Sequence, residues 1–398
     1  MKPRTRVNHP PQIPLAPGNR PLVAPIYQSV KFELDSLAAT ERAWSGPGQG
    51  FHYSRVANPT VAALEALLAE LQGREACVAV GSGIAAVAVT LIALLSQGDH
   101  VLAFVETYGP TRNLIVRTLA RFGVAHTLLS IEDRAGIERT LAERPTRLVW
   151  FESPTNPVLK IPDIPRLVAC ARRHGALAVI DNTFAGFASH GEFDIDLYVH
   201  SLTKYAAGHG DVMGGAVIGS EQLVQRVRAQ ATALGPALDP HAAFLVQRGL
   251  RTYHLRRAAQ CETAARVAAF LAGDARVARV RYPGLAADPG HSLAKAQLRD
   301  FGTIVCVDLA GTPEQSRVFA DSLQFFAIAA SLGSTESLIV PPQLLAARDL
   351  GPEQRAQSGI GPTTARLSIG VEDPDDLIAD LGAALDAAFG GARGNTAR

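Results

Sequence analysis

The strongest constraint on the fold of this chain is an alternation of short apolar runs with helical patterns. Apolar runs at residues 76–80, 101–105, 148–151, 177–180 and 197–199 read as buried strands, with helical stretches at 84–96, 111–122, 137–143 and 164–174 between them. Such alternation predicts an α/β fold, a mostly parallel sheet sandwiched by helices. Ligands of these sheets bind at the carboxyl ends of the strands, so the loops that follow are where chemistry is expected. The rhythm begins after Asn58-Pro59-Thr60, where Asn58 is suited to cap an amphipathic helix that Gly73 stops.

The flanks read differently. Residues 1–25 hold seven prolines and predict an extended arm that lies on another part of the molecule or on a partner subunit. A helical stretch near 240–271 leads into a second region, with strands expected at 277–282, 304–309 and 325–330 and helices near 313–323 and 375–389. The expected organisation is an arm (1–57), an α/β domain (58–250) and a smaller C-terminal α+β domain (251–398).

Charge and cysteine content exclude several function classes. With 38 basic and 37 acidic residues the net charge is +1, which argues against broad electrostatic binding to nucleic acid or anionic membrane. The most apolar run, residues 84–95, is too short to span a bilayer, and the N-terminus lacks the apolar core of a signal peptide. Cys77, Cys170, Cys261 and Cys306 are scattered without paired spacing, so neither a disulfide frame nor a metal site is expected and the chain reads as cytoplasmic. Only five lysines are present: Lys2, Lys31, Lys160, Lys204 and Lys295. Chemistry that needs an amine has few candidates.

Four of the strand-end loops carry reactive groups. Gly81-Ser82-Gly83-Ile84-Ala85-Ala86 places glycines between a strand and a helix N-terminus, which suits a phosphate. The same string fits G-x-G-x-x-A, so a dinucleotide loop and a bare tight turn are alternatives, although a helix precedes this strand where the dinucleotide fingerprint opens its fold. Asp181, before Asn182 and Thr183, either braces its loop or pairs a buried cation. Lys204 follows a strand within His200-Ser201-Leu202-Thr203-Lys204-Tyr205 and is either a surface lysine or an amine nucleophile beside phosphate-binding hydroxyls. Glu152-Ser153-Pro154-Thr155-Asn156-Pro157 forms a rigid turn. Together these loops supply what pyridoxal 5′-phosphate requires, and a nicotinamide has no use for the lysine.

These residues carry a resemblance. Tyr53-Ser54-Arg55 with Asn58-Pro59-Thr60, residues 152–157 and residues 201–208 resemble the Cys/Met-metabolism family of pyridoxal-phosphate enzymes, whose members include cystathionine γ-synthase, γ-lyase and β-lyase, methionine γ-lyase and homoserine sulfhydrylases. The likeness runs from about Pro25 to Gly370 and implies the aspartate-aminotransferase type of fold. It implies that Lys204 is the Schiff-base lysine, that Asp181 pairs the pyridine nitrogen, and that Gly83, Ile84, Ser201 and Thr203 hold the phosphate. Thr183 is expected beside the cofactor, Tyr108 against its ring as a stacking group or proton donor, and Asn156 near the ring oxygen. Tyr53 and Arg55 would reach the phosphate of the adjacent subunit, in a homotetramer built as a dimer of dimers. Arg366, with Ser331, would grip the α-carboxylate of an amino-acid substrate.

Three positions and one stretch depart from the family pattern. Ile84 replaces a common methionine, Pro110 stands where methionine γ-lyases usually have cysteine, and Ala330 stands where many cystathionine enzymes have glutamate. The stretch 341–361 lacks the usual Met-Thr-His string. The expectation is elimination or γ-replacement on a sulfur amino acid or activated homoserine. The alternatives are β-elimination from cystathionine or cysteine conjugates, and a catalytically silent cofactor-binding protein on the same fold.

Overall fold

Five-residue strands buried on both faces organise the larger half of the molecule. In the computed structural model, which describes residues 15–45, 49–341 and 348–390, seven strands form one sheet. They are β1 (Ala76–Val80), β2 (His100–Phe104), β3 (Ala125–Leu129), β4 (Leu148–Glu152), β5 (Leu177–Asp181), β6 (Leu197–Ser201) and β7 (Gly215–Gly219). Their order is β1-β7-β6-β5-β4-β2-β3, with β3, β2, β4, β5 and β6 parallel and β7 antiparallel to both neighbours. Alternate side chains serve two cores: Val149 and Phe151 pack on one face, Leu148 and Trp150 on the other, all fully buried. Helices Gly83–Leu94 and Glu221–Leu234 cover the second face, and Pro59–Gln72, Ile164–Arg173 and Pro240–Leu250 contribute to the first.

The helix Tyr253–Ala272 leads to a second sheet of β8 (Val277–Arg281), β9 (Ile304–Leu309), β10 (Ala327–Ile328), β11 (Leu338–Val340) and β12 (Thr364–Ser368), ordered β10-β11-β12-β9-β8. Its apolar face packs against that helix and the C-terminal helix Pro374–Phe389. Among the described residues no helix is long and apolar enough to cross a membrane, and no group of three or more His, Cys, Asp or Glu side chains is placed to hold a metal ion.

Several local expectations are corrected. The helix expected over 111–122 is a helical turn (Gly109–Asn113) followed by a π-helical turn (Leu114–Thr118) and a 3₁₀ turn (Leu119–Phe122). Of the strand expected at 325–330, only Ala327–Ile328 pairs, at the sheet edge. The arm contains a helix, Leu37–Trp44, capped by Ser36; residues 1–14, which hold Lys2, lie outside the described residues, as do 342–347 of the 341–361 stretch. Asn58 caps its helix as expected, accepting from the amide of Thr60 at 2.9 Å, and Gly73 ends it in a left-handed conformation at φ 66°.

Strands β3, β7, β11 and β12 and the helix Glu221–Leu234 give weak sequence signals. β7 is bounded by Gly215 and Gly219, which read as loop residues, yet Gly215 is required by contact. A Cβ there would lie 2.2 Å from the carbonyl oxygen of Ser82. This approach seats the loop after β1 on the sheet.

Candidate active site

The strand-end loops converge on a cavity of about 450 Å³, within the range of small-molecule sites. Asp181 ends β5, Ser201 ends β6, and Lys204 lies in the turn after it. Ser331, Val340 and Arg366 of the second sheet region close the other side. Gly83, Ile84, Tyr108, Asn156, Thr183 and Thr203 complete the set, so eleven of the thirteen residues expected from sequence line one cavity.

Lys204 is oriented from across the cavity. Its Nζ donates to Ser331 Oγ at 2.7 Å, and burial together with the positive charge of Arg366 lowers its pKa to about 8. Ser331 has a positive φ of 116°, a strained conformation for a residue other than glycine. Its carbonyl accepts from Arg366 Nη2 at 2.7 Å, while Arg366 Nη1 donates to Asn156 Oδ1 at 2.9 Å. Among the described residues the buried Nε of Arg366 has no acceptor. The guanidinium is therefore held by neutral oxygens alone, ready for an anion.

Asp181 is braced by its own loop. Its Oδ1 accepts from the Thr183 hydroxyl at 2.6 Å and the Thr183 amide at 3.1 Å, and Thr183 Oγ1 in turn accepts from the amide of Ser201 at 2.9 Å. Burial raises the Asp181 pKa, and the Thr183 donors pull it back toward the charged form. Asp181 thus braces its loop from an interior position, and among the described residues no cation forms an ion pair with it.

Glu152 is a cavity residue that sequence reasoning named only as part of a loop. It pairs with Asp181 across β4 and β5, and its Oε1 accepts from the amide of Tyr108 at 2.6 Å. Burial, and next the charge of Asp181, push its pKa well up. The available signal was its position as the last residue of an apolar run. Burial also raises the Tyr108 phenol, as does Glu152, against the opposing pull of Arg366.

Tyr53 and Arg55 do not enter this cavity. Tyr53 is partly exposed, Arg55 donates to the carbonyl of Thr232 at 2.9 Å, and its guanidinium lies 5.6 Å from the Tyr53 ring centre.

The cavity end formed by the loop after β1 fits a phosphate. Ser82 accepts from the amide of Ala85 at 3.2 Å, which leaves the first-turn amides of Gly83 and Ile84 at the positive end of a 12-residue helix. A Cβ on Gly83 would lie 2.8 Å from Ser201 Oγ, so the space between them exists only because position 83 carries hydrogen. Thr203 Oγ1 accepts from the amide of Gly214 at 3.1 Å, which fixes its orientation.

The sequence profile of the Cys/Met metabolism PLP-dependent enzymes matches residues 15–386. The chain belongs to this family. It is a PLP-dependent enzyme of the lyase and γ-synthase group. L-methionine γ-lyase of Pseudomonas putida is 40% identical over 370 residues, which cover 92% of this chain and 93% of the relative. Cystathionine γ-synthase of Xanthomonas oryzae, solved with aminoacrylate and cysteine, superposes with a TM-score of 0.86 at 37% identity, covering 92% and 93% of the two chains. A Campylobacter jejuni protein assigned as an O-acetylhomoserine (thiol)-lyase superposes with a TM-score of 0.85 at 32% identity over 92% and 96%; its structure contains a pyridoxyl-lysine phosphate. The aspartate-aminotransferase type of fold and the pyridoxal phosphate dependence expected from sequence are both upheld. The three relatives carry three different reaction names.

Proposed function

We propose that this enzyme catalyses elimination or γ-replacement at the side chain of a sulfur amino acid or an activated homoserine. The observation that carries the reading is the convergence of an amine, Lys204, and a guanidinium, Arg366, on Ser331 at one side of a cavity whose other side holds Asp181. Arg366 would bind the substrate α-carboxylate with the fork geometry that a lysine lacks. Gly83, Ile84, Ser201 and Thr203 would hold the cofactor phosphate, Asp181 its ring nitrogen, and Tyr108 and Asn156 its ring. Pyridoxal 5′-phosphate, when bound, supplies an electron sink for the pair released at the substrate Cα. Lys204 Nζ, with a pKa near neutrality, is suited to accept the Cα proton and deliver it elsewhere. Tyr108, lining the same cavity, is the proposed proton donor to a departing sulfur or oxygen.

Incubation with L-cystathionine tests this reading. 2-Oxobutyrate with cysteine supports γ-elimination, and consumption of an O-acylhomoserine with a thiol supports γ-replacement. Pyruvate with homocysteine shifts the assignment to β-elimination. A protein that binds the cofactor and turns over none of these or of other sulfur amino acids is a silent binder, and the proposal fails.

We also infer a cytoplasmic homotetramer in which Tyr53 and Arg55 serve a neighbouring copy, with the arm (1–57), the α/β domain (58–250) and the C-terminal domain (251–398) as its units. The four unpaired cysteines support a reducing compartment. The position of Tyr53 and Arg55 outside their own cavity, and the exposure of Leu22, Leu37 and Trp44 in the arm, support shared sites. Light scattering checks the assembly, and a monomer at micromolar concentration contradicts it.

A further inference from the structure

One ion pair and one lysine bridge tie the segment after β11 to the turn that carries Tyr108. Arg112, in the helical turn Gly109–Asn113, is 2% exposed. Its Nε and Nη2 donate to the two carboxylate oxygens of Asp349 at 2.9 and 2.5 Å. Its Nη1 donates to the carbonyls of Val105 at 2.8 Å and Thr107 at 2.5 Å, on the near side of Tyr108. Lys160 makes a parallel link, with Nζ 2.7 Å from Glu106 Oε1 and 2.8 Å from the carbonyl of Gln357. Each cation thus spans from the turn 105–112 to the segment 349–357. That segment follows Val340, which lines the cavity from the second sheet.

None of these four charged side chains lines the cavity, whereas Tyr108 and Pro110, between the two anchor points, do. A buried ion pair adds little net stability over apolar packing, because desolvating both charges offsets most of their attraction. What the arrangement does provide is geometry. Arg112 spends four donor contacts on one carboxylate and two carbonyls, a fork that a lysine cannot reproduce.

We propose that Arg112 and Asp349 form a positioning pair that fixes Tyr108 at the cavity wall by locking its turn to the second sheet region, so that the two walls of the site move as one. The pair touches neither substrate nor reacting atoms. The inference rests on the reading above in which Tyr108 faces the bound cofactor.

The test compares the holoenzyme with Asp349→Asn, which keeps shape and loses charge, and with Arg112→Lys, which keeps charge and loses the fork. Both variants are expected to retain the cofactor while kcat falls roughly 10- to 100-fold, the scale of a small misplacement at a reacting centre. KM is expected to change by less than about threefold, since ground-state binding through Arg366 is untouched. The visible circular dichroism of the bound cofactor shifts, and amides of residues 106–113 and 349–358 exchange faster together. The double variant loses no more than the worse single one. Unchanged kcat and dichroism in both variants overturn the proposal, whether or not the melting temperature falls, and so do additive losses. If Asp349→Asn does not fold, Arg112→Lys carries the same measurements. Dichroism and exchange do not depend on turnover, so failure of the proposed reaction remains distinguishable from failure of the pair.

Discussion

Glu152 and Asp181 stand side by side on adjacent parallel strands, in register, with both carboxyl groups in the same cavity. Two buried carboxylates at such a position do not both ionise. The surroundings distinguish them: the Thr183 hydroxyl and amide favour charge on Asp181, while burial and the charge of Asp181 push the pKa of Glu152 well up. Glu152 serves as the acceptor for the Tyr108 amide, a role that needs an oxygen and no charge.

Glu152→Gln is therefore expected to keep kcat/KM within about threefold. Glu152→Ala leaves the Tyr108 amide without its acceptor, a loss of about 1–3 kcal/mol, or roughly 5- to 150-fold in kcat/KM. Steady-state kinetics on the two variants check this. A glutamine variant as impaired as the alanine one would mean that Glu152 works as an anion.

The lowered pKa of Lys204 has a direct chemical readout. In the cofactor-free protein, its modification by an amine-reactive reagent should rise with pH around a midpoint of about 8, where the neutral amine forms. Peptide mapping follows the site. A midpoint near that of an ordinary lysine, about 10.4, would show that burial and Arg366 do not act on the amine as described.

At the phosphate end of the cavity, Gly83→Ala pushes a methyl group into Ser201. Overpacking of this kind costs about 1–3 kcal/mol, so cofactor affinity should weaken roughly 5- to 150-fold. Equilibrium titration with pyridoxal 5′-phosphate measures it. Unchanged affinity would place the phosphate elsewhere.

Two buried histidines predict the acid limit. Burial lowers the pKa of both His190 and His200 to about 3, and each ring is held by a neutral partner, Asn182 Oδ1 at 2.7 Å and Gln72 Oε1 at 2.8 Å respectively. Below pH 6.5 the unfolded chain protonates them and the folded chain does not, so stability falls as pH drops from 6.5 toward 3. Each contributes a slope of up to about 1.4 kcal/mol per pH unit in that window. Urea unfolding of His200→Gln at several pH values should show a shallower decline than the parent. An unchanged decline would assign acid lability to other groups.

Much of the site was legible because strand ends are local. A five-residue apolar run followed by Asp181 or by Ser201 and Lys204 announces both its burial and its loop. What the sequence concealed depends on contacts between distant segments. Glu152 acquires its role from Asp181, 29 positions away but next to it in register. Strand β12, which carries Arg366, is a central strand of the second sheet, yet its Thr-Ala-Arg-Leu-Ser sequence shows no apolar run. The stretch expected as a helix at 111–122 is helical throughout but passes from α to π to 3₁₀ geometry. Arg112 at its start is pulled toward Asp349 and the carbonyls of Val105 and Thr107, a demand no local pattern encodes. Lys160 is engaged with Glu106 and Glu132 and the carbonyl of Gln357, and among the described residues Lys204 is the lysine that lines the cavity.

Everything proposed for the site turns on Lys204 being the amine that joins the cofactor. Borohydride reduction of the cofactor-loaded protein, followed by proteolysis and mass spectrometry, tests it most directly. The reduced pyridoxyl phosphate group is expected on the peptide containing Lys204, and on no peptide of a Lys204→Ala variant treated in parallel. A label on Lys160 or Lys295, or a stoichiometric label in the variant, would contradict it.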